Sequence, residues 1–86
     1  MELGTFINLS SESERQRLCE LTETTLGYLR KLASNKGGAS PYKAFQIEKA
    51  THQLSKRHKL LQPVEGCTLC DEQKYRRFLK QIGQSS

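Results

Sequence analysis

Tryptophan is absent from this chain, and aromatic residues of any kind are few: three Phe and three Tyr in 86 residues. Apolar side chains make up 35% of the sequence, below the roughly 45–50% usual for soluble domains, a range that also counts glycine. So thin a supply builds one small core and leaves little wall for a water-excluding pocket. A conventional enzyme with a buried small-molecule substrate is therefore not expected. No apolar run approaches the roughly 18–20 residues that cross a bilayer, so no membrane span is expected. The opening Met1-Glu2-Leu3-Gly4 is acidic and leads into no long apolar stretch, so no secretory leader is expected. Cysteine comes to three, an odd count where disulfide scaffolds show an even one, and free thiols in a reducing cytoplasm are the expected state. Proline occurs twice, at Pro41 and Pro63, and each marks a boundary. There are no internal repeats.

Acidic residues are the minority, nine against fourteen Lys and Arg, for a net charge of +5. The excess is unevenly placed. Residues 1–23 hold Glu2, Glu12, Glu14, Glu20 and Glu23 against Arg15 and Arg17, and are net acidic. Residues 24–62 hold Arg30, Lys31, Lys36, Lys43, Lys49, Lys56, Arg57 and Lys59 against the single acid Glu48. Cations gathered in a middle block are the footprint of a nucleic-acid face; the plainer alternative is a solvated basic surface.

The apolar spacing is helical throughout. Leu3, Phe6 and Ile7 fall at i, i+3, i+4 and predict a short helix over residues 2–9. Ser11 and Glu14 form a capping-box pattern that starts a second helix near Glu12, running to about Leu21 with Leu18 and Leu21 inward and Cys19 as a small filler. Thr22-Glu23-Thr24 is a short polar break. A third helix follows with Thr24 as its expected cap and Leu26, Leu29, Leu32 and Ala33 on one face. It stops at Ser34-Asn35-Lys36-Gly37-Gly38. Ser40-Pro41 opens a fourth helix with the stripe Ala44, Ile47, Thr51, Leu54 and Phe45 beside it. Asp71 caps a terminal helix whose Tyr75, Phe78, Leu79 and Ile82 make an amphipathic stripe, with Glu72 and Arg76 as an i, i+4 ion pair. No segment alternates long enough for a strand, so the fold class expected is all-α, five or six short helices.

Two helices joined by about three residues are the pattern of a helix-turn-helix, whose second helix enters the DNA major groove. Here Leu26 and Leu29 seat the second helix, and Cys19 is the small residue where it crosses the first. The outward face offers Thr24, Thr25, Gly27, Tyr28, Arg30 and Lys31. Arg and Lys pair with guanine acceptors, and Tyr28 reaches a phosphate or a thymine methyl. Gly27 is costly in a helix interior by about 1 kcal/mol relative to Ala. Its presence is explained either by close approach of a DNA backbone or as a tolerated defect.

Residues 10–51 resemble the prophage Cro-like and YdaS-like DNA-binding proteins. The most specific stretches are Thr25-Leu26-Gly27-Tyr28-Leu29-Arg30-Lys31-Leu32-Ala33-Ser34 and Ile47-Glu48-Lys49-Ala50-Thr51. The resemblance implies a small lambda-repressor-like helix-turn-helix bundle over residues 1–63, with a C-terminal extension over 64–86. It implies a cytoplasmic repressor that binds a palindromic double-stranded operator as a homodimer. Thr24, Thr25, Gly27, Tyr28, Arg30 and Lys31 then fall on DNA-facing positions, and Asn35, Lys36 and Ser40 where the backbone is held. The chain departs from the family in its turn, where Glu23 stands in place of the usual Gly.

Lys43 lies in the first turn of the fourth helix, where a cation opposes the helix dipole; a bound phosphate would relieve the conflict. His52 and His58 read as phosphate or solvent contacts in the basic stretch. Cys67 and Cys70 form a C-x₂-C pair with three readings: a zinc site with those histidines, a redox pair, or two small residues at a turn. The last is preferred, so no cofactor is expected. The terminal helix either packs back on the bundle or pairs with a second subunit. The competing function is a small protein-interaction module that engages a host factor through that helix. RNA is a weaker third choice, because the interleaved aromatics it would want are missing.

Overall fold

The computed structural model describes residues 1–34 and 38–83, and every α-helix after the first begins at a side-chain cap. The elements are α1 (Leu3–Leu9), α2 (Glu12–Thr22), α3 (Leu26–Ser34), α4 (Pro41–Ser55), a single 3₁₀ turn (Gly66–Thr68) and α5 (Glu72–Gln81). Among the described residues there is no strand, and the fold is all-α. At α2 the Ser11 hydroxyl accepts from the Glu14 N–H at 3.2 Å while the Glu14 carboxylate accepts from the Ser11 N–H at 2.7 Å. Both donors would otherwise lack a partner. Ser40 caps α4 with Pro41 directly after it, and Asp71 caps α5.

Inside, Phe6, Ile7, Leu18, Leu29, Ile47 and Val64 are fully enclosed. The heaviest helix packing runs between α2 and α4 and between α1 and α3, with less between α2 and α3. Two stripes differ from the pattern read in the sequence. In α2 the inward partner of Leu18 is Thr22 rather than Leu21, which is half-buried. Thr22 can take the buried place because its hydroxyl donates back to the Leu18 carbonyl at 2.8 Å. In α4 the buried set is Ala44, Ile47, Ala50 and Thr51, and Leu54 is only half-covered.

The α2–α3 connection is a Schellman ending. The Glu23 N–H reaches the Glu20 carbonyl and the Thr24 N–H reaches Cys19, which places Glu23 in the left-handed region at φ 54°. A Cβ there meets the following carbonyl, a conflict that glycine lacks. The departure noted at this position thus keeps the turn but strains it. Replacing Glu23 with Gly is expected to stabilise the protein by about 0.5–1 kcal/mol, the relief of strain outweighing the added freedom of the unfolded chain. Thermal unfolding checks this; a melting temperature that drops would mean the Glu23 side chain contributes more than its backbone costs.

The terminal helix packs back on α4, the first of the two fates open to it. Tyr75 is 3% exposed. Phe78 meets Tyr42 and Phe45 edge to face, with centroids 6.3 and 5.7 Å apart. Ile82, expected on the stripe, lies past the end of α5 and is exposed. Two side chains of α4 template the segment that leads there. The buried Thr51 hydroxyl accepts the Val64 N–H at 2.9 Å. Glu48 accepts the Gly66 N–H at 2.9 Å on one oxygen and the Tyr75 hydroxyl at 3.1 Å on the other. Gly66 lies so close under the Tyr75 ring that a Cβ there would fall on the ring and its hydroxyl. Leu61, Val64, Leu69, Cys70 and Tyr75 join the same core cluster as Leu3 through Ala50. Both sides of the expected 63/64 boundary therefore contribute to one interior.

Candidate nucleic-acid interface

Helix α3 is amphipathic in the sense its sequence implied. Leu29 and Leu32 are buried, Leu26 and Ala33 half-buried. Thr25, Gly27, Tyr28, Arg30 and Lys31 all lie at the solvent surface. The helix is held from below by α1, where the ideal Cβ position of Gly4 lies 3.6 Å from the Ala33 Cβ. A Cβ at Gly27 would meet only the Thr25 hydroxyl, at 3.9 Å. Nothing inside the protein therefore requires glycine at that position. Thr25, Tyr28, Arg30 and Lys31 thus bring a hydroxyl, a phenol and two cations to the outward side of α3 and its cap.

The cap of α3 is one residue later than expected. Thr25, not Thr24, receives the Tyr28 N–H on its hydroxyl, at 3.2 Å. Thr24 is instead half-buried, with its hydroxyl 2.7 Å from that of Thr22. The cause is the left-handed Glu23, which turns the chain so that Thr24 closes α2 before α3 begins. Thr24 thus belongs to the turn rather than to the outward face.

Lys43 also has a partner the sequence reading missed. Its ammonium donates to the Thr22 carbonyl at 2.8 Å. Helix α2 carries no basic residue in its last turn, so a cation from elsewhere is favoured at its carbonyl end. That missing charge was the signal available in the sequence. The conflict between Lys43 and the dipole of its own helix is relieved within the chain, without a phosphate. The Ser40 hydroxyl accepts the Lys43 N–H at 3.2 Å as the α4 cap. Asn35 and Lys36 lie outside the described residues.

Arg15 was not singled out in the sequence. Its Nε donates to the Ile7 carbonyl at 2.9 Å, which closes the end of α1 and fixes it to α2. Of the late basic stretch, Lys56, Arg57 and Lys59 are exposed. His58 is half-buried; its Nδ1 accepts the Leu60 N–H at 3.2 Å and its Nε2 lies 3.9 Å from Glu14. His52 is exposed at the end of α4.

The cysteines sit at the 3₁₀ turn. Cys70 is buried, with its thiol on the Gly66 carbonyl, and Cys67 is half-buried beside Glu65. Burial, reinforced by neighbouring carboxylates, pushes both thiols above their ordinary range. Burial and the adjacent Glu48 likewise keep the Tyr75 phenol protonated well above its usual range. Among the described residues no three His, Cys, Asp or Glu gather where they could hold a metal ion. A hollow of about 880 Å³ between α4, the 3₁₀ turn and α5 mixes Glu48, Glu65 and Glu72 with Lys49, Arg76 and Lys80. Glu48 is already engaged there, and Glu72 pairs with Arg76 at 2.8 Å. No helix among the described residues is long and apolar enough to cross a membrane.

No family model, curated protein or solved structure matches the chain.

Proposed function

We propose that this protein is a sequence-specific double-stranded DNA-binding regulator of the Cro type. It acts in the cytoplasm as a repressor on a palindromic operator and binds as a homodimer, with one α3 in each of two successive major grooves. One observation carries the reading: α3 is seated by its leucines on a helix-turn-helix with Thr25, Gly27, Tyr28, Arg30 and Lys31 all presented to solvent. The basic excess of residues 24–62 is the second support.

On this reading Thr25, Tyr28, Arg30 and Lys31 meet base edges and nearby phosphates, and Gly27 lets a duplex backbone approach. Ser40 and the exposed Lys56, Arg57 and Lys59 hold phosphates and carry no sequence information. Selection from a random duplex pool is expected to enrich a two-fold symmetric site. Lys31→Ala should then lower affinity for that site by about 1–3 kcal/mol, with a smaller effect on unselected duplex. A pool that stays random after repeated rounds, or a variant with unchanged gel-shift titration, counts against the assignment.

A further inference from the structure

We propose that Lys43 is a positioning residue for α3: it clamps the helix-turn-helix turn from α4 and so sets the pose in which α3 meets DNA. The proposal rests on the duplex-binding reading above and deepens it. Its geometry is a short chain of bonds converging on one residue. Thr22 ends α2 and is fully buried. Its hydroxyl donates to the Leu18 carbonyl at 2.8 Å, so the 2.7 Å contact with Thr24 uses the Thr24 proton. Its own carbonyl accepts the Lys43 ammonium at 2.8 Å. The Lys43 N–H is meanwhile fixed on Ser40, so both ends of this residue are held.

The turn therefore has three restraints: the Schellman bonds of Glu23 and Thr24, the threonine relay, and the lysine. Among the described residues only the lysine bond to the turn comes from outside α2 and α3. It is needed because the Schellman ending is built on Glu23 in a strained conformation, and because the direct packing between α2 and α3 is the lighter of the contacts around them. Thr25, the cap of α3, follows Thr24 directly. A shift of the turn is thus passed into the start of the reading helix, and small losses of pose weaken recognition when a site is read by a rigid element.

A phosphate contact and a positioning clamp leave different signatures. Removing a phosphate contact lowers affinity for all duplexes alike and reduces the slope of log affinity against log salt by about 1. Removing a clamp weakens the selected duplex more than an unselected one and leaves the slope unchanged. The experiment uses the full chain with Lys43→Met, which keeps the aliphatic stem, and Lys43→Arg, which keeps a cationic donor. Binding is measured at several salt concentrations to the duplex enriched by selection and to an unselected duplex of equal length. Amide hydrogen exchange is measured on the free proteins.

Lys43→Met is expected to weaken the selected duplex by about tenfold with an unchanged salt slope. Amides from Thr24 to Leu29 should exchange faster while those of Ile47 and Ala50 keep their rates, a pattern that general destabilisation would not give. Lys43→Arg should restore most of both. Equal weakening of the two duplexes with a slope reduced by about 1 overturns the clamp in favour of a phosphate contact. Unchanged exchange at the turn also overturns it. Wild-type protein that binds no duplex overturns the binding half of the proposal, and the exchange rates then decide the clamp by themselves.

Discussion

Gly66→Ala is expected to destabilise the protein by about 3 kcal/mol and to lower its melting temperature by more than about 10 °C. The added methyl falls on the ring and hydroxyl of Tyr75, which is 3% exposed and held by its bond to Glu48. Relief requires the ring to leave. That takes the phenol off Glu48, exposes the apolar surface between α4 and α5, and loosens the edge-to-face contacts of Phe78. The same substitution at Gly27 serves as the control. Its methyl enters open space on a helix surface, so it should stabilise by up to about 1 kcal/mol. Thermal unfolding followed by circular dichroism compares the two. A Gly66→Ala protein that melts with the wild type would show that α5 is not latched through this glycine.

The second large effect is on binding. Affinity for duplex DNA is expected to fall about 10³-fold between 50 and 200 mM salt, as for a protein that neutralises about six phosphates. Two protomers reach that number when each contributes about three cations. The exposed Arg30, Lys31, Lys56, Arg57 and Lys59 are enough to supply them. Anisotropy titrations of a labelled duplex over that range give the slope directly. A response of less than about tenfold would remove phosphates from the account and return weight to a protein-interaction role. Such a role would need a surface other than the Tyr75 stripe, which already faces α4.

Much of the architecture was legible because it is local. Capping boxes, a Pro at the first helical position and the i, i+3, i+4 recurrence of leucines act within a turn or two of chain. Ser11, Ser40, Asp71, Leu18, Leu29 and Tyr75 could all be placed from spacing alone. The outward face of α3 followed from the same periodicity: once Leu29 and Leu32 are inward, Arg30 and Lys31 have no other side to occupy. What escaped notice depends on partners far along the chain. Lys43 reads as an exposed cation until Thr22, 21 residues earlier, is brought to its ammonium. Thr51 and Glu48 read as ordinary helix residues until Val64 and Gly66 present their N–H groups to them. The shift of the α3 cap from Thr24 to Thr25 has the same origin. It follows from a left-handed residue that side-chain propensities would not place at a glutamate.

The heaviest helix contacts pair α1 with α3 and α2 with α4, and Glu23 lies where the chain passes from one pair to the other. Helix α3 packs more heavily on α1, where Gly4 lies against Ala33, than on its sequence neighbour α2. The tilt of α3 is therefore set more by α1 than by the helix that precedes it in the chain. Two proteins with identical letters from Thr25 to Lys31 but different packing beneath Ala33 would present those side chains at different angles.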